Sequence, residues 1–503
     1  MKLKLCGGLT RTTAVPLSPV GRGRAQLLLS LVSLALLGVS GCGPKRLKAD
    51  FIGFEGAYAE TSNREVLLNL ARLQNHNPTY FFKLGQIQSS YRMQASVGGS
   101  ANYTPQGTKP GGAIVAGGGS AGVIYENDPV FQFIPVNDDT NAQLLLRPIP
   151  AETFYILYQQ GWRVDQLFRL LVDRIEITRP TKSGCEVETI RNQPPPVYLN
   201  PNGQPDKSYA HDPARLSSYV TFLRVSAVVY ALQKHGLLLL RGTSTFVPFD
   251  KNSAIPGAND KSAPLAKDQN DAVAKDTVWE KDDKGDWVLG RKVFTPVFYL
   301  NPLKEGEQKN LIPDKEKITK QITAELPELA HGAALDQALR ILSYGFSIEG
   351  QKNLQEAPGE LCPTSGISSH LVLRSMIGLM AAAAQEQIPY DALASSDPEI
   401  PANPHLSPEE QERERPRFLT AVPRIERLPL LRLTGTENQE MEPLIRVNYR
   451  GTTYAIADPD NPEAPDNQYW NRDVFRLISA LTSEVTVDIS KFPLPEILQI
   501  RTP

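Results

Sequence analysis

"YRMQASVGGSANY", residues 91–103, alternates strictly between two classes of side chain. Tyr91, Met93, Ala95, Val97, Gly99, Ala101 and Tyr103 are apolar, aromatic or small, while Arg92, Gln94, Ser96, Gly98, Ser100 and Asn102 are polar or small. A two-residue period places each class on its own face of a β-strand. The frame extends back to Ile87 and on to Thr104, with only Ser89 breaking the apolar set, well beyond the about 5–6 residues of an ordinary strand. A breaker-rich turn follows, "PQGTKPGG" from Pro105 to Gly112, and then a second run with Ala113, Val115, Gly117, Gly119, Ala121, Val123 and Tyr125 in phase. Two long runs around such a turn predict an antiparallel β-hairpin over 87–104 and 113–126. Its odd-numbered face carries Tyr91, Met93, Ala95, Val97, Ala101, Tyr103, Val115, Val123 and Tyr125, and is expected to project from the body uncovered.

The N-terminus points to a compartment. Lys2, Lys4, Arg11, Arg22 and Arg24 come with no acidic residue before Cys42, and "AQLLLSLVSLALLGV" (25–39) follows. That run is short for a membrane span and has the charge-then-apolar order of a secretory signal. It ends in "VSGC", Val39 to Cys42, which resembles the lipobox of bacterial lipoproteins. The resemblance implies lipidation at Cys42 and cleavage before it. Gly43 in place of Asp implies outer-membrane sorting, with the chain facing the periplasm rather than the cell surface. Losing five positive residues takes the net charge from −2 to −7. An acidic chain with no basic block does not suit nucleic acid. With Cys6 removed and Cys42 lipidated, Cys185 and Cys362 are the thiols left, either paired in an oxidising compartment or buried and reduced.

The organisation reads as a mixed α/β (α+β) fold, a lipid-anchored globular body bearing a long Gly-rich amphipathic β-hairpin. After the signal peptide (1–41) comes a basic tether (42–60). Residues 61–136 hold a helix, opened by a Ser62/Glu65 capping box with Val66, Leu67, Leu70, Ala71 and Leu73 periodic, and then the hairpin. An α/β body spans 137–249. It includes a helix before Gly161, a second with Val164, Leu167, Phe168, Leu171 and Ile175 inward, a third over 213–235, and the strand "LLLLRG". A polar loop covers 250–277. The region 278–395 opens with a hairpin at "TVWEKDDKGDWVLG" and continues with helices near 333–343 and 368–387. Pro-rich acidic loops lie near 397–416 and 458–466, and 396–503 ends as strand–helix–strand at "LPEILQI".

Several motifs invite a catalytic reading and do not support one. "GGGSAG" (117–122) fits both the dinucleotide fingerprint and the nucleophile elbow, but both need a helix next. A β-like stretch broken by Pro129 follows instead, so Ser120 is not a credible nucleophile. "DPDNPE" (458–463) lacks the sixth-position glycine and closing glutamate of a calcium loop. The six histidines have no zinc spacing, and Asp282, Asp283 and Asp286 sit in a turn. No catalytic, cofactor-binding or metal-ligating residue is expected, and the chain does not read as an enzyme.

"NREVLLNLARLQNHNPTYFF" (63–82), the Gly-rich hairpin, "GWRVDQLFRLLVDRI" (161–175), "LVLRSMIGLMAAAAQ" (371–385) and "RVNYRGTTYAIAD" (446–458), in that order, resemble an uncharacterised family of large bacterial outer-membrane lipoproteins. The resemblance covers most of the mature chain and supplies no catalytic residues to carry over.

Two functions from different classes follow. The first is a structural or export component of the cell envelope that meets copies of itself, or other envelope proteins, through a membrane-inserting or interface-forming hairpin. The second is a lipid-anchored soluble periplasmic binding protein that uses its α/β body, and an envelope hydrolase is a distant third. The lipobox generates a direct prediction: wild type incorporates labelled palmitate and stays with membranes, whereas Cys42→Ser does neither. A Cys42→Ser chain that fractionates with membranes, beside a wild type that takes up no label, contradicts the anchor.

Overall fold

The computed structural model describes residues 43–103, 115–135, 145–182, 184–197, 212–248, 277–281, 287–300, 315–330, 334–343, 346–348, 367–400, 416–433, 445–458 and 462–486. The chain divides into two compact units, Met1–Asn63 and Arg64–Pro503. Of the first, the described part is the N-terminal portion of helix α1, Gly43–Gln74. Two expectations change here. The tether is helical, and Ser62 lies inside the helix rather than capping it. No proline interrupts 45–62, so the helix has no reason to begin at Ser62. Glu65 is used elsewhere, as an acceptor for the backbone of Phe82 at 2.7 Å. Val66, Leu67, Leu70 and Ala71 are buried as the periodicity predicts.

The second unit is mixed α/β. Its main sheet has seven strands: β3 (Val172–Thr181), β4 (Gly184–Arg191), β5 (Leu238–Pro248), β6 (Val278–Lys281), β7 (Trp287–Leu300), β8 (Phe346–Ile348) and β9 (Ser368–Leu373). The order is β4-β3-β9-β8-β7-β5, with β6 also pairing β7. All neighbours are antiparallel except β8 and β9, so the sheet is mixed. The expected hairpin near Trp279 is present, with Lys281 opposite Trp287. Its turn, including Asp282, Asp283 and Asp286, lies outside the described residues, as does the 250–276 stretch.

Helices α2 (Ala151–Gln159) and α3 (Val164–Leu171) flank Gly161, whose φ of 85° suits the turn. The helical period of 164–175 misleads at its end, because α3 stops at Leu171 and Ile175 belongs to β3. The cause is distant in sequence. Asn192 Nδ2 donates to the carbonyls of Phe168 (3.2 Å), Arg169 (2.8 Å) and Val172 (2.7 Å). Arg374 Nη1 donates to those of Arg169 and Leu170. These side chains satisfy the carbonyls that a helix end leaves orphaned, and the chain turns at once into the sheet.

Helix α4 (Pro213–Lys234) forms as expected, capped by Asp212 through the amides of Ala214 and Arg215. Helices α5 (Lys315–Glu325) and α6 (Ala334–Ser343) follow. The helix expected over 368–387 is instead strand β9 followed by α7 (Met376–Gln385). "SSHLVL" alternates between buried and half-buried positions, a strand's period. Ser375 caps α7 through the amide of Gly378 at 3.1 Å, and α8 (Gln387–Ser396) adjoins it. The C-terminal region is a two-stranded hairpin, β10 (Ile445–Tyr449) with β11 (Thr452–Ile456), and then a helix, Trp470–Thr486. The closing strand expected at "LPEILQI" lies outside the described residues.

Phe154, Phe168, Phe298 and Phe346 pack in edge-on and tilted pairs in the core, with centroids 5.8–6.2 Å apart. Beside them sits a fully buried charge. Arg169 donates to Glu386 (2.5 Å) and to the carbonyl of Leu428 (2.9 Å), and lies 3.4 Å from Glu426. Tyr219 also donates to Glu386, at 2.9 Å. Helices α3, α4 and the α7–α8 junction, together with the 424–430 segment, thus meet on one guanidinium. Its closest contact is with Glu386, so burial prevails at Glu426 and pushes that carboxyl up to about 8, against the pull of Arg169 and with Asp165 adding repulsion.

The folded chain therefore keeps a proton on Glu426 where the unfolded chain has released it. Stability should fall as pH rises from about 4.5 toward about 8 and level off beyond. In Glu426→Gln that slope should flatten, which urea unfolding at a series of pH values measures. Parallel slopes for the two chains contradict the assignment.

Candidate functional site

Strands β1 (Phe82–Tyr103) and β2 (Val115–Pro135) form an antiparallel ribbon that pairs with no other strand among the described residues. From Gln86↔Gln132 to Tyr103↔Val115, odd-numbered positions face odd-numbered ones. The two alternations are therefore in phase. Tyr91, Met93, Ala95, Val97, Ala101, Tyr103, Val115, Val123 and Tyr125 occupy positions on one face of the ribbon, and Arg92 pairs with Glu126 on the other. The tip, 104–114, lies outside the described residues.

The ribbon is longer than the alternation alone predicts. β2 runs through Pro129, which pairs with Ser89. A two-stranded ribbon gives each strand an unpaired outer edge, where a residue lacking an N–H is tolerated. This corrects the expectation of a break there, and it removes the helix that a nucleophile elbow at Ser120 requires. A register shift between Leu84 and Gln86 leaves Gly85 unpaired. Beyond it Leu84 faces Phe133 and Phe82 faces Pro135, which keeps the apolar phase in step down to the base.

Sequence reading missed what fastens that base. Asn69, fully buried on α1, donates through Nδ2 to the Tyr80 carbonyl (2.6 Å) and accepts through Oδ1 from the Tyr80 amide (3.0 Å). Its carboxamide thus pairs with the chain as a neighbouring strand would. Arg72 donates to the same Oδ1 at 3.0 Å and lies 5.1 Å over the Tyr80 ring. Phe81 is buried, and Glu65 holds the Phe82 amide. The available signal was a polar Asn69 within the apolar phase of Val66 and Leu70, since buried polar groups carry more information than buried apolar ones.

Two adjoining clefts mark the body. One, of about 310 Å³, is lined by Tyr230, Lys234, Glu325, Glu328, Arg424 and Asp466 among others. The second, of about 190 Å³, includes Arg424, Arg427, Arg432, Glu463 and Trp470. Their charges are matched within the chain. Lys234 meets Glu325 (2.9 Å) and Asp466 (3.1 Å), Arg424 meets Glu328 (2.8 Å), Arg427 meets Glu463 (3.5 Å), and Arg432 meets Asp391 (2.9 Å). Such pairs leave little unspent charge to attract a ligand.

Asp458, from the "DPDNPE" stretch, is buried and pairs with Arg472 at 2.9 Å. Cys185 is disulfide-bonded, while Cys42 and Cys362 lie outside the described residues. Among the described residues no helix is long and apolar enough to cross a membrane. Compared with protein-family models, curated proteins and solved structures, the chain matches none of them.

Asn69→Ala removes both bonds to Tyr80 and should cost about 1–3 kcal/mol. The Tyr80 and Phe82 amides should exchange hydrogen faster, while protection in the buried part of α4 stays high. Unchanged exchange at those two amides contradicts the fastening role.

Proposed function

We propose that this chain is a lipid-anchored protein of the bacterial outer membrane, facing the periplasm, with a structural or export role that it performs by assembling through the β1–β2 ribbon. The preferred partner is another copy of the chain. What carries the reading is the unbroken odd-to-odd register from Gln86 to Tyr103, which gathers the apolar and small positions on one face of a long ribbon, interrupted at Ser89 and Asn127 near its base. The anchor at Cys42 supplies the location, and the resemblance to large bacterial lipoproteins agrees with it.

The dimensions suit a bilayer. From Tyr91 to Tyr103 is about 40 Å along the strand, or about 30 Å of height at a 40° tilt, against an apolar band of about 25 Å. Each strand also has an outer edge that pairs with no further strand among the described residues. In lipid the backbone groups of such an edge must be satisfied by closure with other strands, and in water they form a template for pairing. Both routes lead to assembly. A two-stranded ribbon alone is marginal in water. The binding-protein alternative would use the clefts of the body, whose internally paired charges make it the weaker of the two.

Val97→Arg places a charge on the apolar face, and Ser96→Arg places the same charge one residue away on the polar face. The first should reduce chemically cross-linked multimers and extraction-resistant membrane protein, by about 2–4 kcal/mol if the position lies near the bilayer midplane. The second should behave as wild type. Equal behaviour of the two variants contradicts a face-specific role.

A further inference from the structure

One row of residues crosses the centre of the seven-stranded sheet in register. Glu176 of β3 stands opposite His370 of β9, His370 stands beside Ser347 of β8, and Ser347 stands opposite Val297 of β7. Their neighbours along the strands, Ile175, Ile177, Phe346, Ile348, Leu371 and Phe298, are buried in the core. A strand alternates its side chains between faces, so the row lies on the other face, where Glu176, His370 and Ser347 are half-buried. Neighbouring strands are about 4.8 Å apart. An acid, an imidazole and a hydroxyl are thus set side by side by three segments distant in sequence.

Ser347 Oγ lies 2.6 Å from His370 Nδ1. A hydroxyl has one proton to give, and the Ser369 carbonyl, at 3.4 Å, is the more distant acceptor. Donation to Nδ1 places the ring proton on Nε2. Strands β8 and β9 are already paired through their backbones, and on a half-exposed face water can satisfy both side chains, so neither need explains so short a contact. A nucleophile within hydrogen-bond reach of a base, with a third group beside that base, is the arrangement that activates a serine. Glu176 takes the third position, and Arg174 Nε holds its carboxylate at 2.6 Å. An anion there favours the imidazolium that forms when the base takes the serine proton. The local motif at Ser120 lacks its helix, whereas this constellation is defined by geometry and not by sequence order.

We propose that Ser347 is a nucleophile for acyl transfer, with His370 as its base and Glu176 as a positioning residue, acting on esters of small acyl groups. An ester has the leaving group that asks least of a site, and Val297, next in the row, offers a short acyl chain an apolar neighbour. Ser347 Oγ adds to the ester carbonyl carbon as its proton passes to His370 Nδ1. The bond to the alcohol oxygen breaks, and the alcohol leaves with that proton. Water then adds to the acyl-serine and gives a proton to His370. The carboxylic acid departs as Oγ recovers that proton. The activity belongs to the body and does not depend on the ribbon or the anchor.

The experiment treats the purified whole chain with a fluorophosphonate probe, locates the label by peptide mass, and follows hydrolysis of p-nitrophenyl acetate. The label should fall on Ser347, and Ser347→Ala should lose both label and hydrolysis. His370→Gln should slow labelling by at least about 100-fold, the lower end of what a general base contributes. Glu176→Gln should slow it less, and Glu176→Asp should retain more of the rate than Glu176→Gln, which a merely structural role for the side chain does not require. Thermal unfolding of each variant shows whether it is folded, and the mapping needs only the wild-type chain. No label at Ser347, or a labelling rate there that a folded His370→Gln leaves unchanged, overturns the proposal.

Discussion

Arg169 is the side chain on which the body closes. A guanidinium with no solvent exposure is very costly unless its charge is balanced. Glu386 supplies the charge, and Glu386, Glu426 and the Leu428 carbonyl accept from the guanidinium's two terminal nitrogens, from two separate parts of the sequence. Trp470 lies 5.7 Å beneath the same group and donates its indole N–H to Leu430 at 2.9 Å. The C-terminal helix is thereby tied to the charge that also gathers α3 and α4. Losing Glu386 leaves a buried charge unmatched, which costs far more than the pair contributes when intact.

The same body also holds the base of the ribbon. α1 packs Val66, Leu67 and Leu70 into the core, so the amide of Asn69 is held where it can pair with Tyr80. The chain entering β1 is therefore clamped by Asn69, Arg72 and Glu65. A clamped base suits the assembly role proposed for the ribbon, since edges that wander cannot pair in register. The charges of the two clefts are matched within the chain, which supports the structural reading proposed above.

The ribbon was legible in the sequence because a two-residue period leaves only one way to separate Tyr91 and Met93 from Arg92 and Gln94. The shift at Gly85 was not, since a bulge is set by pairing that no single strand reveals. Val164, Leu167, Phe168, Leu171 and Ile175 fit a helix by spacing, yet α3 stops at Leu171 because Asn192 and Arg374 arrive from just past the ends of β4 and β9. Ser62 and Glu65 have the capping-box spacing, but nothing upstream stops the helix, and Glu65 is drawn to Phe82. In each case the local pattern was real and a long-range contact overruled it. The site divides in the same way. The apolar positions from Tyr91 to Tyr125 were readable, whereas the clamp at Asn69 depended on where Tyr80 folds back.

The central claim is that the ribbon assembles the protein and the body does not. Its most direct test is the mass of the chain extracted from membranes in mild detergent, compared with that of a chain whose residues 86–132 are replaced by a short Gly-Ser linker. The account predicts a multimer for the first and a monomer of unchanged body stability for the second. Monomers in both, or the same multimer in both, would contradict it.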